Sequence, residues 1–191
     1  MKYIISGTNR PGSKSLQVAK FIQKLYLDSG ETTEIVDLQD MALSEVIGHY
    51  GDTAPDPMKD AINKINKSDG LIVVVPEYNG SFPGALKYFI DHWSYPNSFE
   101  FRPVCFVGLG WTFGGLRPVE HLQGVFSYRN AFMYPERVFI INAPKIVGEA
   151  SISDVKVVEF LTSQMNGFKK FCSALSMAKL TANERGPSAG A

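Results

Sequence analysis

The chain has 191 residues, 45% of them hydrophobic and 20% charged, which is ordinary for one α/β domain with a substantial core. Its 19 basic and 19 acidic side chains give a net charge of zero, so the composition offers no electrostatic reason to expect binding to nucleic acid or to an acidic membrane surface. Apolar runs fall short of the roughly 20 residues of a membrane helix, and the amino terminus predicts a strand rather than a secretory signal, so we expect a cytoplasmic protein.

Short apolar runs alternate with longer amphipathic stretches along the chain. The runs are rich in Val, Ile, Phe or Tyr and predict strands at 2–6, 32–37, 70–75, 102–108 and 136–142. Apolar residues spaced by three or four predict helices whose stripes face the core: Val18, Phe21, Ile22 and Leu25; Met58, Ile62 and Ile65; Leu86, Phe89, Ile90 and Trp93; Leu116, Val119, Leu122 and Phe126; Val158, Leu161, Met165, Phe168, Cys172 and Leu175.

Repeated strand–helix units predict a parallel sheet covered on both faces. With right-handed crossovers, five such strands predict a flavodoxin-like three-layer α/β sandwich with strand order 2-1-3-4-5. Pro135 favours an edge position for the fifth strand. We expect a single domain over 1–180 and a flexible tail over 181–191. In this fold, ligands bind at the carboxyl ends of strands 1 and 3, where the strand order reverses.

The loop after the first predicted strand has the chemistry of a phosphate site. Thr8, Ser13 and Ser15 supply hydroxyl groups, Arg10 supplies a cationic fork, and the following helix supplies backbone amides. The loop matches neither the GxxxxGK[ST] nor the GxGxxG phosphate motif. The alternative is a cluster that caps a helix beside a surface arginine.

The loop after the third predicted strand is suited to present its backbone to a planar ring. Pro76 ends the strand, Asn79 and Gly80 form a strong turn signal, and Pro83 suits the first turn of a helix. A flavin carries several polar atoms along one edge, and backbone N–H and C=O groups can bind them. The alternative is a tight strand-to-helix connection without a ligand.

The segment over 76–93, PEYNGSFPGALKYFIDHW, closely resembles the signature of the NADPH-dependent FMN reductase family, whose members also reduce quinones, azo dyes and chromate. The first loop is similar to the family's as well, because Thr8, Arg10, Ser13 and Ser15 stand where members place residues around the FMN phosphate. The resemblance covers residues 2–141. It implies a flavodoxin-like fold, non-covalently bound FMN, and homodimers or homotetramers with flavin sites near subunit interfaces.

The same resemblance assigns Glu77, Tyr78, Asn79 and Gly80 to the isoalloxazine ring, chiefly through their backbone, and Pro76 to the same cofactor site. NADPH or NADH would be the reductant.

The loop after the fourth predicted strand departs from the family pattern. Gly114, Gly115 and Arg117 match a common family run, whereas Leu109 and Trp111 replace small residues. The candidate cofactor residues of this loop are Gly110, Trp111 and Thr112.

Three side chains near this loop have open roles. Trp111 or Phe113 covers part of the flavin or narrows the substrate mouth; the alternative is that both pack into a subunit interface. Arg117 is a partner for the NADPH phosphate, or it forms an ion pair on the helix surface or at an interface.

Cysteine and histidine offer no catalytic or metal motif. Cys105 and Cys172 are far apart in sequence and are expected to be buried core thiols. His49, His92 and His121 lack the spacing of metal ligands. The absence of such motifs is expected if a cofactor performs the chemistry.

The sequence therefore predicts an FMN-dependent NAD(P)H oxidoreductase. It would pass a hydride from NADPH through FMN to a small acceptor, such as a quinone, an azo compound, a flavin or a metal oxyanion, by a ping-pong mechanism. Two alternatives from other classes are a non-enzymatic flavodoxin-like electron carrier and a flavin-free interaction module that keeps the fold.

Overall fold

Strands and helices alternate along the chain, and the computed structural model describes them over residues 1–41, 43 and 54–185. The strands are β1 (Lys2–Ser6), β2 (Thr33–Asp37), β3 (Gly70–Pro76), β4 (Pro103–Leu109), β5 (Phe132–Met133), β6 (Val138–Ile140), β7 (Val147–Gly148) and β8 (Ser151–Ile152). The helices are α1 (Lys14–Asp28), α2 (Asp56–Asn66), α3 (Gly84–Asp91), α4 (Leu116–Tyr128), α5 (Ala143–Ile146), α6 (Val155–Met177) and α7 (Ala182–Arg185), with a 3-10 helix (Leu38–Met41) after β2.

The main sheet is parallel and has the order β2-β1-β3-β4-β5, with β6 also paired to β4. This confirms the predicted flavodoxin-like order. The first four strands begin and end within one residue of their predicted bounds. The short pair β7–β8 is antiparallel and separate from this sheet.

Alternate side chains of the inner strands enter two different buried layers. Ile5 and Val73 pack with the stripes of α2, α3 and α4 on one face, whereas Ile4 and Val74 pack with α1 and α6 on the other. The predicted stripes are largely buried. The prediction was wrong for Leu116, which is 37% exposed, because α4 begins at this residue beyond the edge of the core and its buried stripe starts further along the helix.

The fifth strand position is divided between β5 and β6, which pair with opposite ends of β4. Pro135 lies in the interruption, where it has no N–H to donate. The Gln164 side chain of α6 fills the gap: its Nε2 donates to Phe106 O at 3.0 Å and to Glu136 O at 2.9 Å. Gln164 is 3% exposed, so water does not reach this part of the sheet edge. The side-chain amide therefore replaces the backbone hydrogen bonds that a continuous strand would make there.

Two predictions concern parts of the chain at or beyond the described ranges. The domain over 1–180 with a flexible tail over 181–191 stays a prediction: α7 is described, with the Ala182 amide donating to Phe101 O at 3.2 Å, and 186–191 lie outside the described residues. His49 also lies outside them. No helix of the described part is long and apolar enough to cross a membrane.

We expect Gln164→Met to lower the free energy of unfolding by about 1–3 kcal/mol, because it leaves buried carbonyl oxygens without donors. Gln123→Met is the matched control, since Gln123 accepts its hydrogen bond from Arg137 in an exposed position. Urea unfolding of both variants measures the difference. Equal losses in the two variants would contradict the bridging role of Gln164.

Candidate functional site

The end of β1 lies against β3, and this contact brings two loops together. The Gly7 amide donates to Val74 O at 2.8 Å. A Cβ atom on Gly7 would lie 2.7 Å from the same oxygen, so the approach requires glycine. Just beyond, Thr8 Oγ1 donates to the Tyr78 hydroxyl at 3.1 Å. The loops after β1 and β3 are therefore joined at the point where the strand order reverses.

A cavity of about 670 Å³ opens at this edge of the sheet. Its walls are residues 10–15 after β1, 76–79 at the end of β3, 109–111 at the end of β4, and Ala143 with Pro144 in α5. Its volume lies within the range of small-molecule and cofactor sites.

One end of the cavity has the features of an anion site. Ser13 is the N-cap of α1, and its Oγ accepts from the Leu16 amide at 3.1 Å. The first turn of this 15-residue helix has no acidic side chain, so the positive end of its dipole is not neutralised from within. Ser15 Oγ is buried and has no hydrogen-bond partner among the described residues, although Ser15 lines the cavity. The exposed Arg10 lines the same end.

The loop after β3 forms the predicted tight turn. Tyr78 N donates to Ser81 O at 2.9 Å and Ser81 N donates to Tyr78 O at 3.1 Å. Asn79 and Gly80 between them have φ of 51° and 79°, as a type I′ turn requires. Glu77 N donates to Leu109 O at 3.0 Å, so the amides of Glu77 and Tyr78 are both used within the protein.

The loop after β4 is held by the segment after β6. The Ala143 amide donates to Gly110 O at 3.0 Å, and the Asn142 amide donates to Trp111 O at 2.8 Å. The Trp111 side chain is 57% exposed at the rim of the cavity. Phe113 does not line the cavity; its ring lies 4.4 Å from the Arg117 guanidinium carbon.

Most of the candidate residues meet at this cavity. Nine line it: Arg10, Ser13, Ser15, Pro76, Glu77, Tyr78, Asn79, Gly110 and Trp111. Three do not: Thr8, Gly80 and Thr112. Thr8 is 1% exposed and joins the loops after β1 and β3: its Oγ1 accepts from the Arg10 amide at 3.3 Å and donates to the Tyr78 hydroxyl.

The sequence analysis missed the wall formed by α5. Ala143 and Pro144 reach the cavity because they follow β6, whose carboxyl end lies at the same edge of the sheet as that of β4. The rule that sites form at the carboxyl ends of strands could have found them. Lys14 was missed too; it lines the cavity but its Nζ donates to Val147 O at 2.5 Å.

The cysteines have no part in this cavity. Both are buried and free, as predicted. Burial raises the pKa of Cys172 to about 12 and raises the pKa of Cys105 well above its usual value, so both thiols are protonated at neutral pH. Among the described residues, no group of three or more His, Cys, Asp or Glu side chains could hold a metal ion.

A doubly wound parallel sheet with a helix amino terminus and a tight backbone turn at its switch point defines a cofactor-binding protein of the flavodoxin class. The sequence matches the family of NADPH-dependent FMN reductases over residues 3–145, and the chain belongs to that family. This confirms the resemblance, the enzyme class and the cofactors, FMN with NAD(P)H.

Curated relatives include two named reductases. The chain is 26% identical over 179 residues to the quinone reductase of Escherichia coli strain K12, covering 86% of this chain and 91% of that protein. It is 28% identical over 126 residues to the FMN-dependent NADPH-azoreductase of Staphylococcus aureus strain USA300, covering 63% of this chain and 65% of the azoreductase.

Solved structures share the fold. The flavoenzyme NAD(P)H:(acceptor) oxidoreductase FerB from Paracoccus denitrificans superimposes with a TM-score of 0.70 at 23% identity, covering 91% of this chain and 97% of that one. The apo form of the NADH:FMN oxidoreductase EMOB gives a TM-score of 0.73 at 20% identity, covering 89% and 88%.

The residues of the cavity fit FMN. Ser15 has a buried hydroxyl without a protein partner at the end where α1 presents its first-turn amides, which is where a phosphate would be bound. The rest of the lining includes the small residues Gly110 and Ala143 and the ring of Trp111. The cavity therefore has hydrogen-bond donors for a phosphate at one end and a volume of about 670 Å³, within the range of cofactor sites.

Proposed function

We propose that this protein is an NAD(P)H oxidoreductase that passes a hydride from NADPH through bound FMN to a small acceptor by a ping-pong mechanism. The observation that carries the proposal is the cavity at the switch point, which is lined both by the amino terminus of α1 and by residues 76–79 at the end of β3. The relatives named quinone reductase and azoreductase support a quinone or an azo compound as the acceptor. Free flavins and metal oxyanions are the other electron acceptors that the proposal includes.

Phosphate binding is assigned to the end formed by α1. The amides of Lys14 and Ser15 lie in the first helical turn, where they have no carbonyl partner within the helix. Ser15 Oγ would donate a further hydrogen bond, and Arg10 would add a charge-assisted contact. Ser13 accepts from the Leu16 amide through its hydroxyl oxygen, and its O–H would still be able to donate to the phosphate.

Ring binding is assigned to the turn after β3. The amides of Glu77 and Tyr78 hold the loop itself, whereas the pairing of Tyr78 with Ser81 does not use the amides of Asn79 and Gly80. We assign the amide of Asn79, which lines the cavity, to the polar edge of the ring; Gly80 does not line the cavity and is assigned to the ring on the family resemblance alone. Donors fixed in advance stabilise negative charge without reorganisation. FMN, when bound, supplies the hydride transfer, and the chain binds, orients and shields it.

Assembly and location extend the same proposal. We propose a homodimer or homotetramer, as the family resemblance implies, and a cytoplasmic location. Trp111, Phe113 and Ile141 are each at least half exposed around the loop after β4, which is the apolar surface that a second subunit near the cavity would cover.

Mixing the FMN-loaded protein with NADPH without air tests the function. We expect rapid bleaching of the oxidised flavin absorbance, followed by recovery when a quinone is added. Steady-state rates with varied NADPH and quinone should give parallel double-reciprocal lines. Bleaching only in the presence of a separate reductase would instead support an electron carrier, and colourless protein that ignores FMN would support a flavin-free module.

Arg10→Met tests the phosphate end. We expect the Kd for FMN to rise about 10- to 100-fold, while the Kd for riboflavin, which lacks the phosphate, stays the same. Fluorescence titration of the apoprotein measures both constants. Lys20→Met is the control, since it removes an exposed cation from α1 away from the cavity. Equal weakening of both ligands by Arg10→Met would contradict a phosphate contact.

Trp111→Ala tests the rim of the cavity. If Trp111 narrows the mouth, kcat/KM should rise about tenfold for a bulky azo dye relative to benzoquinone. Tyr128→Ala, which removes another exposed aromatic ring far from the cavity lining, should leave this ratio unchanged. An unchanged ratio together with dissociation of the oligomer on gel filtration would place Trp111 in a subunit interface instead.

A further inference from the structure

A carboxylate and a guanidinium meet at the wall of the cavity. Arg117 in the first turn of α4 donates from Nη1 to Glu77 Oε1 at 3.3 Å. The Glu77 side chain is only 15% exposed, whereas that of Arg117 is 49% exposed. Glu77 lines the cavity and Arg117 does not. The pair therefore places an acid toward the site and its counter-charge behind it.

Glu77 is fixed by its surroundings. Its amide donates to Leu109 O at 3.0 Å, which joins the ends of β3 and β4. Its side chain lies over Gly110: a Cβ atom there would be 3.5 Å from Glu77 Cβ and 3.8 Å from Oε2. The carboxylate is thus packed against the backbone at the end of β4.

Arg117 is held on its other sides as well. The Phe113 ring lies 4.4 Å from its guanidinium carbon, which is a favourable cation–π distance. A Cβ atom on Gly80 would lie 3.9 Å from Arg117 Cδ. Arg117 consequently contacts the loops after both β3 and β4, an arrangement that the planar fork of arginine suits better than the flexible stem of lysine.

The position of this pair matters for a redox site. Reduction of a flavin by NADPH adds two electrons and one proton as a hydride, releases NADP⁺, and leaves the ring with one more negative charge at neutral pH. An unpaired carboxylate in the wall would oppose that charge, and a paired one would not. Charge close to the ring is one of the ways a protein tunes its cofactor.

We propose that Arg117 is a positioning residue that neutralises Glu77 and thereby raises the reduction potential of the bound flavin, rather than a ligand of the NADPH phosphate. This inference rests on the proposed function, because it takes the cavity as the flavin site. It deepens that function by naming the pair of side chains that sets how readily the cofactor is reduced.

The midpoint potential of bound FMN tests the proposal, measured against a reference dye together with the Kd for oxidised FMN. Arg117→Met should weaken binding of reduced FMN relative to oxidised FMN about three- to tenfold, a shift of roughly 15–30 mV to more negative potential for a two-electron couple. Glu77→Gln should shift the potential the other way, and the double variant should return close to the wild-type value. Arg117→Lys keeps the positive charge, so its midpoint potential should stay close to that of the wild type.

Lys87→Met is the matched control, because Lys87 is 46% exposed and pairs with Asp91 away from the cavity; its potential should equal that of the wild type. An unchanged potential in both Arg117→Met and Glu77→Gln overturns the inference, as does a raised KM for NADPH as the sole effect of Arg117→Met. If Arg117→Met does not fold, Glu77→Gln and Arg117→Lys decide alone. Wild-type protein that fails to bind FMN overturns the proposed function itself, which distinguishes the two failures.

Discussion

The approach of β1 to β3 is the constraint on which the whole site depends. β1 ends at Ser6, opposite Val74, whereas β3 continues to Pro76 beside Leu109 of β4. Because β1 ends two residues before β3, the carboxyl edge of the sheet has a step at this position. The chain after β1 leaves the sheet at the step. Gly7 makes the step tight, because any side chain there would meet the Val74 carbonyl. The cavity lies above this step, so its position follows from strand lengths as well as from strand order.

Polar groups around the cavity divide into those that hold the loops and those left for a ligand. The first kind comprises the Ser13 hydroxyl oxygen, the Thr8 hydroxyl and the amides of Glu77 and Tyr78, since each has a partner within the protein. Ser15 belongs to the second. A buried hydroxyl without a partner destabilises the protein, and a phosphate bound at the amino terminus of α1 would supply the partner that Ser15 lacks. We propose that this ligand is FMN, the cofactor of the family to which the chain belongs.

Much of the fold could be predicted because it rests on local patterns. A run of apolar residues such as β3 identifies a central strand. The turn after it requires positive φ at two successive positions, and Asn-Gly is one of the few residue pairs that adopt these angles readily. Other features depend on distant partners and have no local signal. Gln164 lies in α6, 28 residues after Glu136, and its side chain completes the hydrogen bonding at the sheet edge. Leu116 has helical spacing but lies beyond the core, and periodicity cannot locate the edge of a layer. The α5 wall depends on how β6 is placed beside β4.

The net charge of zero conceals a local separation of charge along the cavity. Arg10 and the amino terminus of α1 make one end positive, where a phosphate dianion would be bound. Glu77 stands in the wall toward the other end, and Arg117 neutralises it from outside. These two requirements differ in kind: a phosphate has the same charge before and after reduction, whereas the ring changes its charge during each turnover. A fixed positive end therefore contributes to affinity in both states, and only a charge near the ring can favour one state over the other. The placement of Arg117 behind Glu77, rather than in the cavity, allows the ring end to be balanced without placing a second cation where a substrate must enter.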